Sequence, residues 1–317
     1  MRPRIAVVGS LNMDLVIRAE HIPEPGETIL GSDFQTIPGG KGANQAVAAA
    51  RLGAEVSMVG GLGNDSFAEI LLDNLAAYGI STSHVIKDAL APSGVALIVV
   101  DEAGENSIVV ASGANMQVSE ADVEAAEAVI AGADVLILQL EIPLVAVQRA
   151  AQIAADHGVQ VLLNPAPARE LPAELLTLVD VLIPNETETA LLTGQRTDSD
   201  TSLEEATQKL LKQGVGAVVI TLGKNGAYIA SQEQKGQFSR AFTIDPVDTT
   251  AAGDAFVAGL AVHLAEGHSL EQAVTWGNAA GALAALRFGA QTSAPSREEV
   301  EKLIAGVEPE KIIGKAR

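Results

Sequence analysis

Short runs of Val, Ile and Leu punctuate the chain at RIAVVGS (4–10), EVSMVGG (55–61), DVLILQLE (134–141), VQVLLNP (159–165), DVLIPN (180–185) and AVVITLG (217–223). Each run is continuous rather than alternating, the pattern of strands buried on both faces. Between them lie Ala-rich segments with helical spacing: NQAVAAARLG (44–53), SFAEILLDNLAAYG (66–79), PLVAVQRAAQIAADHG (143–158), SLEEATQKLLKQG (202–214) and SLEQAVTWGNAAGALAALRFG (269–289). Gly79, Gly158 and Gly214 close three of them, where a left-handed C-cap residue belongs. The alternation predicts an α/β fold: a doubly wound, mostly parallel sheet flanked by helices and linked by right-handed crossovers.

Two stretches break this rhythm. Residues 13–40 and 93–113 alternate apolar and polar positions and read as hairpin-like segments, turned at Pro25-Gly26 and between Glu102 and Asn106. They belong to no crossover unit, which predicts a small β-sheet standing off the core as a lid. The expected organisation is one α/β domain over residues 1–317, with lid strands inserted at about 12–38 and 93–112. Residues 297–317 read as a final helix and a surface tail.

Composition narrows the partners. Forty acidic residues against twenty basic ones give a formal charge of −20, which opposes binding to nucleic acid or an anionic membrane surface. A phosphate-bearing ligand must then be held by local donors or a metal. With no cysteine, disulfides, thiolate metal sites and cysteine nucleophiles are excluded. The N-terminal apolar run is too short for a secretory signal, and the longest internal one is interrupted by Asp134. A cytoplasmic protein without membrane or nucleic-acid partners is expected.

Several motifs are missing. The first strand leads into Gly9-Ser10-Leu11-Asn12, so no dinucleotide fingerprint opens a helix. Lys41 is followed by Gly42, which rules out a P-loop, and neither a zincin nor a nucleophile-elbow motif occurs. The five histidines are scattered singly, as surface or structural residues are.

What remains is VDTTAAGDAF (247–256). It lies between a strand-like RAFTI (240–244) and a helical pattern in which Phe256, Leu260 and Leu264 share one face. Ala251, Ala252 and Gly253 therefore fall at a helix N-terminus, where unpaired amides and the macrodipole make an anion site that small side chains leave open. Asp254 would sit beside that anion, a place suited to a proton acceptor. The alternative is a first-turn acid that complements the dipole, with Asp248 as a cap. A second cluster, PGGKGANQAVAAARLG (38–53), places Gly39, Gly40 and Gly42 where the backbone can approach a ligand or flex. A flexible loop before a core helix would look the same.

GGKGANQA and DTTAAGDAFVAGLA resemble the two signatures of the ribokinase family of sugar kinases, also named after phosphofructokinase B. GSLNMD, the QLE ending at Glu141, LNPAPARELP, PNETE, TLGKNG and RFGAQTSAP extend the resemblance over nearly the whole chain. It implies a ribokinase-like fold and ATP-dependent phosphorylation of D-ribose to D-ribose 5-phosphate. Asp254 would be the general base, and the amides of Ala251, Ala252 and Gly253 the anion hole. By the same resemblance, Asn12, Asp14, Gly40, Lys41, Gly42, Asn44 and Glu141 grip the sugar. Asn185 and Glu188 organise Mg2+ and phosphates, and Thr221, Gly223, Gly226, Gly253 and Asn278 contact the nucleotide. A monovalent cation, usually K+, would take oxygens of Asp248, Thr250, Ala284, Arg287, Gly289 and Ser293. Two positions depart from the family's habit: Asn278 stands where a histidine is frequent, and Thr250 where an aliphatic residue is. Lid strands in this family commonly pair across a two-fold axis, so a homodimer is implied. The alternatives are another sugar or nucleoside kinase of the family, such as a fructokinase or deoxyribokinase, and a non-catalytic sugar-binding regulator.

Overall fold

A computed structural model describes residues 2–313. Among them, one sheet of nine strands runs in the order Gln237–Ser239, Ala227–Ser231, Ala217–Thr221, Val181–Leu182, Gln160–Leu163, Val135–Leu138, Arg4–Val8, Glu55–Gly63, Ser81–Asp88. From Ala217–Thr221 to Ser81–Asp88 every pairing is parallel. All six apolar runs of the sequence lie in this part. Their continuity has a direct cause: Ile5 and Val7 feed the core on one face, and Ala6 and Val8 the core on the other.

The chain starts at the third strand from one edge of the sheet, winds outward to Ser81–Asp88, then returns to the other side of Arg4–Val8 and winds the opposite way. That reversal opens a crevice beyond the C-terminal ends of Arg4–Val8 and Val135–Leu138, where ligands of doubly wound folds bind. The helices Lys41–Arg51, Ser66–Ala77, Leu144–Asp156, Asp200–Leu211, Ala252–Ala265 and Leu270–Ala284 cover the faces. Gly79, Gly158 and Gly214 follow their helices at φ of 71°, 71° and 104°, a left-handed conformation that a Cβ disfavours.

A second sheet has the order Phe34–Gly39, Asn12–Arg18, Gly94–Val100, Asn106–Ala111. Its outer pairings are antiparallel, and its inner pair, Asn12–Arg18 with Gly94–Val100, is parallel. Pro25-Gly26 lies inside a long connection rather than a tight hairpin turn. The other turn closes between Asp101 and Glu105, whose backbones are bonded at 3.0 Å.

Two further expectations need correction. RAFTI is an irregular segment after the strand Gln237–Ser239, because Phe242 and Ile244 pack against the helical core instead of entering the ladder. The final helix is two, Arg297–Ile304 and Pro309–Ile313, parted by Gly306 at φ 85°. The tail reading at 314–317 lies outside the described residues. The antiparallel edge strands Ala227–Ser231 and Gln237–Ser239 were not anticipated. No helix among the described residues is long and apolar enough to cross a membrane.

Candidate active site

The helix Ala252–Ala265 starts at Ala251 without any side-chain cap. The Ala252 amide bonds the Thr249 carbonyl at 3.2 Å, so it is shared rather than free. A Cβ built on Gly253 would meet no atom within 4 Å; the first turn opens on space, as an anion site requires. Asp254 follows and is only 7% exposed. Asn44 Nδ2 donates to its Oδ2 at 3.0 Å, and Gln45 Nε2 to its Oδ1 at 2.9 Å. Burial pushes the Asp254 carboxyl up, and Lys41 with the two amides counters only part of that push.

On the other side of the crevice, Glu141 Oε2 accepts from the Lys41 amide at 3.1 Å and from Ser10 Oγ at 2.5 Å. Glycine is required in this loop. A Cβ on Gly40, at φ 87°, would lie 2.7 Å from the Asn12 nitrogen, and one on Gly42 would lie 2.6 Å from that of Ser10. Asn12 is buried, its Oδ1 accepting from Asn115 Nδ2 at 2.7 Å. Asp14 is half-buried; burial first, then the charges of Glu141 and Asp254, raise its carboxyl from 3.8 to about 7. Burial works against the Lys41 ammonium, but Asp254, Glu141 and Glu188 outweigh it and hold the ammonium above the ordinary lysine range.

Asn185 and Glu188 form a capping box on the helix Glu186–Thr193. Asn185 Oδ1 accepts from the Glu188 amide, and Glu188 Oε2 from the Asn185 amide, each at 2.8 Å. One Glu188 oxygen is thereby spent, and the donor set left over suits Mg2+ held largely through its own waters. Burial raises the Glu188 carboxyl, partly offset by the Asn185 amide and Lys41. A small cavity brings Asn185, Glu188 and Thr221 together with Lys41, Thr250, Gly253 and Asp254. Beyond it a cleft of about 670 Å³ has Gly223, Gly226 and Asn278 on its wall, beside the apolar Phe242, Ile244 and Ala282. These dimensions and this mixed lining suit a nucleotide. Asn278 donates to Ser239 Oγ at 3.1 Å and to the Arg240 carbonyl at 3.3 Å, which anchors the cleft wall.

Of the cation candidates, Asp248, Thr250 and Gly289 are joined directly. Asp248 Oδ1 accepts from the Thr250 amide at 3.0 Å, and Oδ2 from the Gly289 amide at 3.0 Å. Burial opposes the Asp248 charge, but these bonds and Arg18 outweigh it and keep the carboxyl below its usual range. An ionised carboxylate among hydroxyl and carbonyl oxygens fits a hard monovalent cation. The Ala284 carbonyl accepts from the Arg287 amide at 3.2 Å, Ser293 Oγ donates to the Ala290 carbonyl at 2.8 Å, and the Arg287 side chain is paired with Glu299.

Sequence reasoning missed Ser10, Gln45, Asn115, Gln139 and Asn164, all bonded to the residues above. Gln45 follows Asn44 within GGKGANQA, and Asn164 opens the quoted NPAPARELP stretch, so both were within reach. Gln139 opens the quoted QLE, whereas Asn115 carries no local signal.

Residues 2–297 match the model of the pfkB family of carbohydrate kinases. The chain is 44% identical over 299 residues to a ribokinase of Haemophilus influenzae, covering 94% of this chain and 97% of that protein. It is 37% identical over 302 residues to a deoxyribokinase of Salmonella typhi, covering 95% and 98%. Among solved structures it matches Arabidopsis thaliana ribokinase complexed with ribose and ATP at a TM-score of 0.89 and 35% identity, covering 96% of this chain and 99% of that one.

Proposed function

This chain belongs to the pfkB family of carbohydrate kinases, and we propose that it transfers the γ-phosphoryl group of ATP to the primary hydroxyl of D-ribose, giving D-ribose 5-phosphate and ADP. One observation carries the reading. Asp254 stands at an open, uncapped helix N-terminus with both carboxylate oxygens held by amides, where a phosphoryl group and a sugar hydroxyl would meet. Its raised pKa suits a base that takes the hydroxyl proton as the oxygen attacks phosphorus. The first-turn amides would stabilise the negative charge that develops. Lys41, set among three carboxylates, would offset their repulsion of an incoming phosphate.

Asn12, Asp14, Asn44 and Glu141, with the Gly40–Gly42 loop, would hold the sugar. Asn44 Oδ1 is buried without a partner among the described residues, an acceptor suited to a sugar hydroxyl. Asn185 and Glu188 would hold Mg2+, which supplies charge neutralisation across the phosphates, and the Asp248 loop would hold K+. The small sheet would act as a lid that excludes water. Ile17, Phe34, Leu97 and Val109 share its outer face and are exposed, and covering them by a second copy would give the homodimer; a monomeric mass in light scattering would count against that pairing. The reaction belongs in the cytoplasm, where ATP is supplied.

The test is an ADP-release assay over pentoses, hexoses and nucleosides, with K+ and with Na+. D-ribose should give the highest kcat/KM and K+ the higher rate. Preference for deoxyribose or fructose would move the assignment within the family, and equal ADP release without any sugar would defeat it.

A further inference from the structure

Asp254 does not hold its own orientation; a chain of buried amides does. Gln45 Nε2 donates one hydrogen to Asp254 Oδ1 at 2.9 Å and the other to Asn164 Oδ1 at 3.2 Å. Asn164 is fixed in turn, its Nδ2 donating to the Ile183 carbonyl at 3.0 Å. On the far side, Gln45 Oε1 accepts from Gln139 Nε2 at 2.6 Å. Every polar atom of the Gln45 amide is therefore committed, and its two ends cannot be exchanged without facing an oxygen towards the carboxylate.

The same polarity reaches Gln139, which is fully buried and follows the interior strand Val135–Leu138. Because Gln45 must present its oxygen, Gln139 must present its NH2. Its own Oε1 is left buried without a partner among the described residues. That unpaired oxygen is a cost to folding which the bond to Gln45 offsets only in part. Packing holds it firmly, since a Cβ on Gly9 would fall 2.0 Å from that oxygen.

We propose that Gln139 is a positioning residue: through Gln45 it fixes the donor that orients Asp254 and favours its ionised form. This rests on the reading of Asp254 as the general base. Gln139 itself touches neither sugar nor nucleotide in that reading.

The test is Gln139→Met, which keeps length and loses the donor, with Gln139→Leu beside it. We expect KM for ribose and for ATP within about twofold of the parent and kcat lower by about tenfold, the effect of loosening one hydrogen bond to a charged group. The acid limb of the kcat–pH profile should move up by about one unit, because a carboxylate with a weakened donor holds its proton to higher pH. Added to Asp254→Asn, Gln139→Met should cause no further loss. A folded Gln139→Met enzyme with parental kcat and acid limb overturns the proposal, as does a full tenfold loss on top of Asp254→Asn. If neither Gln139 variant folds, Gln45→Met is measured in the same way, and an unmoved acid limb there overturns it. Near-parental turnover in Asp254→Asn would instead remove the base itself, a separate failure.

Discussion

Replacing Asp14 by Asn should make the protein more stable at neutral pH while loosening its grip on the sugar. The Asp14 carboxyl is raised from 3.8 to about 7, by burial first and then by Glu141 and Asp254. A folded-state pKa above the unfolded one means that the neutral form is favoured by folding. Its contribution is complete below about pH 4 and is lost as pH rises through about 7. A rise of about three units at ~1.4 kcal/mol each sets a ceiling of about 4 kcal/mol. Asp14 borders an open cleft, and solvent screening should reduce this to about 2 kcal/mol. For a domain of this size that is a gain in Tm of roughly 3 °C. Thermal melts of both proteins from pH 4 to 8.5 should show no difference at the acid end and a gap that widens to a plateau above pH 7. Lower stability of Asp14→Asn at pH 8, or a gap that ignores pH, would refute the reasoning. In the same variant KM for ribose should rise about tenfold or more, as loss of a charged acceptor predicts.

Three further outcomes follow from the same geometry. Asp254→Asn should bind ATP nearly as the parent does, by calorimetry, while turnover falls at least about 10²-fold; near-normal turnover would strip Asp254 of its role. Gly253→Ala should melt no lower than the parent, since its Cβ meets nothing within 4 Å, yet lose about tenfold in kcat because the methyl enters space a phosphate needs. An unchanged kcat would place the phosphate elsewhere. Glu188→Gln should raise the Mg2+ concentration for half-maximal activity about tenfold, and weakening its capping box should lower stability by about 1 kcal/mol at most. A Mg2+ titration that overlays the parent's would show that the pair only caps a helix.

The parallel core was legible because both faces of its strands are buried, which removes the alternation that would make Val135–Leu138 or Gln160–Leu163 ambiguous. The glycines at 40, 42 and 253 were legible because close backbone approach leaves a compositional mark. RAFTI was misread since apolar residues packed against helices look locally like a strand; Phe242 and Ile244 are that case. The members of the amide chain behind Asp254 lay in quoted motifs, but their joining was out of reach for a different reason. Gln45, Gln139 and Asn164 meet from segments 94 and 119 residues apart, and a buried glutamine carries no periodicity that separates it from a surface one. The edge strand Gln237–Ser239 was hidden by its shortness.

In the small sheet Asn12 is paired with both Gly39 and Gly94, so three chain segments leave the core along one line, and that line runs past the residues proposed to hold the sugar. A plate swung about it has its fulcrum at Asn12. Six residues further on, Arg18 stands about 20 Å out, so a 30° swing would carry it about 10 Å while Asp14 travels only about 3 Å. The doorway would thus widen most far from the proposed sugar site, and the contacts proposed to recognise the sugar would barely move.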